Sequence, residues 1–251
     1  MTDFSSLGIE PMLLEAIEAL GFQTPTEIQQ QAIPILLTQE KDMVALAQTG
    51  TGKTAAFGIP MLQRIDPNSR ITQGLVIAPT RELCLQISKE LAKYASHKKG
   101  LYIVPIYGGA SISDQAKAVK KGAQVLVATP GRMQDMMRRK MIDISAIEYC
   151  VLDEADEMLN MGFKEDITNI LAHTPNDKLT WLFSATMPKE VANIAKDFMH
   201  KPVEVTVGTK NAASNNIQHE YYVVAGRERY SALKRLSDTH PDIYSIVFCR
   251  T

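Results

Sequence analysis

Short apolar runs rich in β-forming residues alternate with amphipathic helical stretches after about residue 40, and this alternation restricts the fold more than any other feature. The apolar runs lie at residues 43–47, 74–78, 101–106, 124–128, 149–152, 179–183 and 203–207. The helical stretches between them include residues 81–94, 111–120, 163–172 and 189–199. Nearly continuous Val, Ile and Leu runs separated by helices are typical of a parallel sheet covered on both faces. The pattern predicts an α/β fold whose loops gather along one sheet edge, at the carboxyl ends of the strands, where such folds bind ligands.

Both ends of the chain depart from this alternation. Residues 11–20 have helical spacing closed by Gly21, and a second helix is predicted after a cap at Thr24 or Thr26. Residues 208–216 are polar and typical of a linker, and a strand, a helix and a strand are predicted at 221–224, 229–239 and 244–248. We therefore expect four segments: helices at 1–40 that belong to the first domain, an α/β domain at 41–207, a linker at 208–218 and an incomplete second domain at 219–251.

Composition limits the classes of protein that remain. The chain of 251 residues is longer than one small domain and shorter than two complete domains. With a net charge of −1, any site for a polyanion must be built locally. No apolar run approaches the roughly 18 residues of a membrane span, and the first residues lack the pattern of a signal peptide. Three widely spaced cysteines without a CxxC pair favour a reducing, cytoplasmic setting.

Residues 47–54, Ala-Gln-Thr-Gly-Thr-Gly-Lys-Thr, follow a predicted strand and precede a helical stretch, as a phosphate-binding loop requires. Gly50 and Gly52 allow consecutive N–H groups to point inward, and the helix N-terminus adds a positive dipole. Lys53 would reach the β- and γ-phosphates, and the Thr54 hydroxyl would bind Mg²⁺. A Gly-rich turn with a solvated Lys53 is the alternative, which the strand–helix context disfavours.

Acidic residues follow the apolar run at 149–152. Asp153 would hold Mg²⁺ through water, and Glu154 would polarise the water that attacks the γ-phosphate. An acidic helix N-terminus is the alternative interpretation. The phosphate loop about a hundred residues upstream favours the catalytic one.

The sequence Asp-Glu-Ala-Asp at 153–156 resembles the motif that names the DEAD-box RNA helicases of superfamily 2. Further blocks that match this family, in the same order, are Phe4 with Q-motif residues at 21–29, motif I at 47–54, motif Ia at 79–83, the doublet Gly108-Gly109, motif Ib at 129–132, motif III at 184–186 and motif IV at 246–251. The resemblance implies a RecA-like P-loop NTPase fold, with a truncated βαβ piece of a second RecA-like domain. It also implies ATP and Mg²⁺ as cofactors and RNA as the partner.

For the nucleotide, the resemblance implies a binding set of Phe4, Phe22, Thr24, Gln29, Gln48, Thr49, Gly50, Thr51, Gly52, Lys53 and Thr54. The resemblance also implies that Lys53, Asp153 and Glu154 are catalytic residues and that Thr54 and Asp153 bind the metal. The Gln29 amide both donates and accepts, which suits the two edge groups of adenine. Phe22 or Phe4 would stack on the base or pack beneath it, and burial as an anchor for the N-terminal helices is the alternative.

For RNA, the resemblance points to loops that each follow an apolar run and therefore share one rim of the sheet. Their residues are Pro79, Thr80, Arg81, Gly108, Gly109, Thr129, Pro130, Gly131 and Arg132. Glycines and helix N-termini there would grip the sugar–phosphate backbone without sequence preference. Taken singly, each block is more typical of an ordinary turn or cap.

The hydroxyls of Ser184 and Thr186 are expected to contact Asp153 or Asp156, with Asp156 binding this motif instead of the metal. In the family, motif III couples ATP hydrolysis to strand separation.

Later family motifs, among them the one that supplies arginine fingers, do not occur in these residues. We therefore expect this chain to bind nucleotide but to hydrolyse it very slowly and not to unwind duplexes. The apolar segments at 221–251 are expected to favour self-association. Two other classes compete with a helicase: a non-catalytic RNA clamp or scaffold, and a GTPase or DNA translocase. Gln29 and the lack of an Asn-Lys-x-Asp sequence disfavour a GTPase, and the choice of RNA over DNA rests on the resemblance alone.

Overall fold

A computed structural model describes residues 3–208, 218 and 220–249. The chain divides into two compact units, residues 1–212 and residues 213–251. Except for its two end residues, the linker predicted at 208–218 lies outside the described residues, as do the last two residues of motif IV.

One seven-stranded parallel sheet forms the centre of the first unit. Its strands are β1 (Met43–Leu46), β2 (Gly74–Ile77), β3 (Ile103–Ile106), β4 (Val125–Ala128), β5 (Tyr149–Asp153), β6 (Leu179–Ser184) and β7 (Val203–Thr206). They lie in the order β3-β4-β2-β5-β6-β1-β7. Each strand begins and ends within two residues of an apolar run in the sequence, so the predicted α/β class is confirmed.

Helices cover both faces of this sheet and enclose one hydrophobic core on each side. They are α1 (Pro11–Ala19), α2 (Glu27–Thr38), α3 (Lys53–Arg64), α4 (Arg81–Tyr94), α5 (Ile112–Lys120), α6 (Pro130–Arg138), α7 (Ala155–Asn160), α8 (Lys164–Ala172) and α9 (Lys189–Phe198), after a short 3-10 helix at Phe4–Leu7. The N-terminal helices, α3 and α4 share one core, in which Leu13, Ile33 and Phe57 are fully buried. The other core contains Met133, Met158 and Ile170. Within the described ranges, no helix has the length and apolar character needed to span a membrane.

Local sequence signals explain where several helices begin. Thr26 directly precedes α2, and its N–H donates to Gln29 Oε1 at 2.9 Å, which resolves the predicted choice between Thr24 and Thr26. Thr80 directly precedes α4, and its hydroxyl oxygen accepts from the Leu83 N–H at 3.2 Å. Helix α4 has the bounds that its amphipathic pattern predicts.

The strand order separates the loops at the carboxyl edge into two groups. Strands β5, β6 and β1 are neighbours and carry the acidic residues, motif III and the phosphate loop; we call this the β5-β6-β1 side. Strands β3, β4 and β2 are neighbours at the other end of the sheet and carry the loops predicted to bind RNA; we call this the β3-β4-β2 side. Because all pairs are parallel, both groups lie along one edge.

The second unit contains one α-helix in its described part, α10 (Arg229–Thr239), preceded by a 3-10 turn at Gly226–Glu228. The strands predicted at 221–224 and 244–248 are not formed, so that part of the predicted βαβ piece is wrong. A strand needs a neighbour for its backbone hydrogen bonds, and among the described residues these short segments pair with no other strand. Their large apolar side chains, among them Tyr221, Val223, Tyr244 and Phe248, are exposed.

Candidate functional site

The loop between β1 and α3 depends on two glycines in the left-handed region. Gly50 has φ 77° and Gly52 has φ 89°. A Cβ on Gly52 would collide with Gln29 Nε2. The Thr51 hydroxyl donates to the carbonyl of Gln48 at 2.7 Å and closes the turn. The loop therefore brings backbone N–H groups to the positive end of α3, an arrangement that binds anions.

Two charged side chains are buried beside this loop. Lys53 is 6% exposed, and its Nζ donates to the carbonyl of Ala47 at 3.1 Å. Asp153, the last residue of β5, is 3% exposed. Burial raises the pKa of Asp153 to about 7, against the opposing effect of the nearby Lys53 charge. Buried charges are costly unless they meet a partner, and here the Lys53 charge partly offsets the cost of burying Asp153.

The donor set at the loop fits a magnesium ion in part. Among residues 3–208, 218 and 220–249, no group of three or more His, Cys, Asp or Glu side chains is arranged to hold a metal. Protein-bound Mg²⁺ in nucleotide sites, however, usually takes only one or two protein ligands and completes its shell with phosphate oxygens and water. The Asp153 carboxylate and the Thr54 hydroxyl, which line one cavity, supply such a set.

Glu154 has an unusual backbone conformation. It lies between β5 and α7 with φ 52° and ψ 51°, one of three residues other than glycine with positive φ in the described part of the chain. This left-handed conformation costs a residue with a Cβ about 1–2 kcal/mol. Strain of this kind is concentrated at functional sites, and here it places Glu154 in the wall of the same cavity as Asp153.

A cavity of about 690 Å³ joins the phosphate loop, the acidic pair and the N-terminal helices. The predicted residues in its wall are Phe4, Phe22, Thr24, Gln29, Thr49, Gly50, Gly52, Lys53, Thr54, Asp153 and Glu154. Gln48 and Thr51, which were also predicted to bind nucleotide, do not line it. The wall also contains residues that were not predicted to bind nucleotide: Leu20, Thr26, Ala55, Leu83, Gln86, Glu90, Lys93 and Tyr94.

Three aromatic rings form one end of the cavity. Phe22 is 40% exposed, whereas Phe4 is 4% exposed and stacks against it with ring centroids 6.4 Å apart. The Tyr94 ring lies 6.3 Å from Phe22. Phe22 therefore offers a ring face, and Phe4 packs beneath it. Tyr94 was missed, although an aromatic residue at the end of the predicted helix 81–94 was an available signal.

Gln29 uses both ends of its side-chain amide within the protein. Its Oε1 accepts from the Thr26 N–H, and its Nε2 donates to the carbonyl of Gly52 at 3.1 Å. An amide has one more lone pair and one more proton than these two bonds use. Gln29 thus ties α2 to the phosphate loop and keeps one donor and one acceptor for a ligand.

The hydroxyl groups of motif III form hydrogen bonds with Asp156. Thr186 donates to Asp156 Oδ2 twice, from its N–H at 2.9 Å and from its Oγ1 at 2.7 Å. Ser184 Oγ accepts from the Asp156 N–H at 3.2 Å. Partial burial works to raise the pKa of Asp156, but the hydrogen bonds from these residues outweigh it and hold the pKa below its usual value. The loops after β5 and β6 are therefore joined next to the phosphate loop.

The loops on the β3-β4-β2 side are also joined to one another. The Arg81 guanidinium lies over the Tyr107 ring, 4.9 Å from its centroid. Arg132 Nη1 donates to the carbonyl of Ala110 at 3.0 Å and to Gln115 Oε1 at 3.2 Å. Contacts thus run from the loop after β3 to the loops after β2 and after β4.

Most of the predicted RNA-binding residues on this side are accessible. Arg81, Gly108, Gly109 and Gly131 are exposed, and Thr80, Thr129 and Arg132 are half-buried. Pro79 and Pro130 are buried, and Pro130 is the first residue of α6. This side therefore presents two helix N-termini, those of α4 and α6, beside an exposed glycine doublet.

A parallel sheet covered by helices, with a glycine-rich loop after β1 and an acidic pair at the end of β5, has the architecture of a RecA-like domain. The family model described as "DEAD/DEAH box helicase" matches residues 26–194. The chain belongs to this family.

The relatives and solved structures agree with this assignment. The chain is 47% identical over all of its 251 residues to the DEAD-box ATP-dependent RNA helicase CshA of Bacillus cereus. It is 46% identical over 99% of its length to the ATP-dependent RNA helicase DeaD of Mycobacterium tuberculosis. It spans 47% and 44% of these two relatives, about half their length. A DEAD box protein from Methanococcus jannaschii superposes with a TM-score of 0.80 at 40% identity, covering 100% of this chain and 67% of that one.

Proposed function

We propose that this chain is the nucleotide-binding part of an ATP-dependent RNA helicase. In this proposal ATP hydrolysis on the β5-β6-β1 side is coupled to remodelling of RNA held on the β3-β4-β2 side. The observation that carries the proposal is the single cavity lined by Gln29, Lys53 and Glu154, which come from three separate parts of the sequence. The names of the relatives, both ATP-dependent RNA helicases, support the same assignment.

The nucleotide would lie with its phosphates on the loop and its base toward the aromatic residues. The backbone N–H groups of residues 49–54 and the Lys53 ammonium would neutralise the phosphates. Phe22 would supply the stacking face, with Phe4 behind it. The remaining donor and acceptor of Gln29 would pair with the edge of adenine.

Thr54 and Asp153 would hold Mg²⁺, and this ion would supply charge neutralisation at the phosphate oxygens. Glu154 would accept a proton from the attacking water. The water oxygen would bond to the γ-phosphorus as the bond to the β–γ bridging oxygen breaks, giving ADP and inorganic phosphate. Asp156, which is held by Thr186, would transmit the change that ATP hydrolysis causes in the site to the end of β6.

RNA would bind through its sugar–phosphate backbone, without sequence readout. The N-termini of α4 and α6, with the Thr80 and Thr129 hydroxyls, can donate to phosphate oxygens. Arg81 adds a cation beside the exposed Gly108 and Gly109, where the RNA backbone can approach closely.

We also propose a cytoplasmic location. Cys84, Cys150 and Cys249 are free thiols. Burial raises the pKa of Cys84 to about 11 and that of Cys150 to about 12, so both remain protonated. Unpaired thiols are usual in reducing compartments.

The test of this proposal is the RNA-stimulated ATPase rate of the helicase that contains this chain, with Glu154→Gln. Loss of the general base is expected to lower the rate by about 10²–10⁴-fold, while ATP affinity stays within a few-fold. Glu157→Gln, an exposed acidic residue three positions away, serves as the control and is expected to keep the wild-type rate. An unchanged rate in the Glu154 variant would favour the non-catalytic clamp.

A further inference from the structure

The last turn of α3, at the opposite end of the helix from the phosphate loop, contacts the N-terminal helix that carries Gln29. Arg64, the final residue of α3, donates from Nε to the carbonyl of Leu36 at 2.9 Å and from Nη2 to the carbonyl of Leu37 at 3.2 Å. Carbonyls in the last turn of a helix have no partner within the helix. The planar guanidinium fork satisfies both at once and fixes the end of α2 against the end of α3.

Gln63 makes an equivalent connection to the segment that follows Phe4. Its Oε1 accepts from the Glu10 N–H at 2.9 Å, and its Nε2 donates to the carbonyl of Gly8 at 3.2 Å. Lys98 strengthens this contact, because its buried Nζ bridges Glu10 Oε1 at 3.2 Å and the carbonyl of Leu62 at 2.7 Å. The chain between the 3-10 helix with Phe4 and α1 is thus attached to the same turn of α3.

Arg64 also contacts the strand that ends at the acidic pair. Its guanidinium lies over the Tyr149 ring, 5.8 Å from the centroid. Tyr149 is the first residue of β5 and Asp153 is the last. The Arg64 side chain therefore contacts both α2, which carries Gln29, and β5, which ends at Asp153.

Helix α2 is consequently attached to α3 at both of its ends. At the cavity, Gln29 Nε2 donates to Gly52, directly before α3. At the far end, Arg64 holds Leu36 and Leu37. A helix attached at one end can pivot about that point, whereas attachment at both ends fixes its position along the neighbouring helix. The Gln29 amide thus bonds directly to the loop at one end of α2, and the Arg64 guanidinium holds the other end of the same helix.

We propose that Gln63 and Arg64 are positioning residues for adenine recognition. Neither lines the nucleotide cavity, so both would act through α2 and the Phe4 segment. Their role is to hold the base-recognising residues Gln29, Phe22 and Phe4 in register with the phosphate loop. This inference depends on the proposed function, because it assigns specificity to the same ATP site.

The test compares two ligands that share the phosphates and differ in the base. ATP and inorganic tripolyphosphate, each with Mg²⁺, are titrated calorimetrically into the wild-type protein and into Arg64→Met. We expect the Kd for ATP to rise about tenfold, the effect of losing one to two hydrogen bonds from a charged group. The Kd for tripolyphosphate is expected to stay within twofold, because the loop itself is untouched.

Two further variants keep the test decisive if Arg64→Met folds poorly. Arg64→Lys keeps the charge but cannot donate to both carbonyls in a fixed fork, and Gln63→Ala removes only the Gly8 and Glu10 contacts. Each substitution is expected to raise the Kd for ATP about threefold. Arg138→Met is the matched control, because Arg138 likewise ends a helix, α6, yet its side chain is exposed and pairs with Asp135. This variant should bind both ligands as the wild type does.

Three results would overturn the inference. If the variants bind ATP as tightly as the wild type, Gln63 and Arg64 do not position the base site, although the proposed function stands. If ATP and tripolyphosphate weaken equally, the residues have a general structural role. If the wild-type protein itself does not prefer ATP to tripolyphosphate, the proposed function fails and this inference fails with it.

Discussion

The β5-β6-β1 side and the β3-β4-β2 side are both built from loops that follow parallel strands, but the two sets of loops form different surfaces. On the β5-β6-β1 side, the loops enclose a cavity with a buried lysine, a buried aspartate and left-handed backbone at Gly52 and Glu154. On the β3-β4-β2 side, the loops stay open and expose Arg81 and the Gly108-Gly109 doublet. A small ligand with concentrated charge needs preorganised, desolvated partners, whereas a polymer needs an open path along its backbone. The enclosed side therefore suits a nucleotide and the open side suits a nucleic-acid backbone, even though both begin as loops after parallel strands.

The largest expected effect is that of Gly52→Val on the β5-β6-β1 side. A β-branched residue at φ 89° is an outlier in backbone conformation, and its Cβ would displace the Gln29 amide. We expect ATP affinity to fall at least about 100-fold, because loop and base site are both disturbed. Calorimetric titration with ATP measures this.

Gly108→Ala is the control for that substitution. Gly108 has no positive φ, and a Cβ there meets nothing within 4 Å. It should leave ATP affinity unchanged and weaken only RNA binding. A Gly52→Val protein that binds ATP normally would contradict the division between the two sides.

A smaller effect is expected for Arg81→Gln on the β3-β4-β2 side. If Arg81 contacts one phosphate, affinity for a single-stranded RNA should fall several-fold, and the slope of log affinity against log salt should decrease by about 0.7. Fluorescence anisotropy of a labelled oligonucleotide at several salt concentrations measures both. ATP affinity should not change. Arg139→Gln, which removes an exposed arginine paired with Asp135, is the control, and an equal loss in both variants would show that Arg81 has no specific role.

The link between β5 and β6 predicts a pH effect on stability. The pKa of Asp156 is lowered in the folded state, so its stabilising contribution is complete above its unfolded pKa of about 3.9 and is lost as the pH falls through the folded value. Asp156→Asn should therefore flatten the fall in unfolding free energy below about pH 4. Thr186→Val should give an intermediate slope. Urea unfolding followed by circular dichroism between about pH 2.5 and 6 measures the slope, and an unchanged slope would refute the assignment.

The smallest effect concerns the second unit. Tyr221, Val223, Tyr244 and Phe248 are each about nine-tenths or more exposed, and an apolar surface of this kind favours association. Light scattering of the 251-residue chain should show an apparent mass that rises with concentration, while residues 1–208 alone should stay monomeric. Identical behaviour of the two would contradict the expectation.

Sequence patterns predicted the elements of the first unit well, because most strands there lie in largely apolar runs, β7 (Val-Glu-Val-Thr) being the clearest exception, and most helices have an amphipathic pattern. Helix α4 illustrates this, with a polar cap at Thr80 and a steady amphipathic spacing to Tyr94. The strands predicted around α10 failed for a physical reason. Residues 221–224 have strand composition, but a strand forms only where a neighbour can complete its hydrogen bonds, and a local pattern contains no information about that neighbour.

The candidate site was predictable where consecutive residues form one motif, as in the phosphate loop and the acidic pair. It was not predictable where the fold brings separate segments together. Glu90, Lys93 and Tyr94 reach the cavity only because α4 packs beside α3. Arg64 reaches Leu36 and Leu37 because α2 packs beside α3, and it reaches Tyr149 because β5 lies beside β2 in the sheet. Gln29 was predicted as a base reader, and only the structure reveals its bond to Gly52.

Titration of ATP–Mg²⁺ into Lys53→Met tests whether ATP binds through residues of the β5-β6-β1 side that are distinct from the residues proposed to contact RNA. The methionine keeps the buried volume and removes the charge. We predict at least about a 30-fold rise in the Kd for ATP, the loss expected for a buried charged partner of phosphate, with nucleotide-free RNA affinity unchanged. If Lys53→Met binds ATP as tightly as the wild type, or if ATP and RNA binding are lost equally, ATP and RNA do not bind through separate sets of residues.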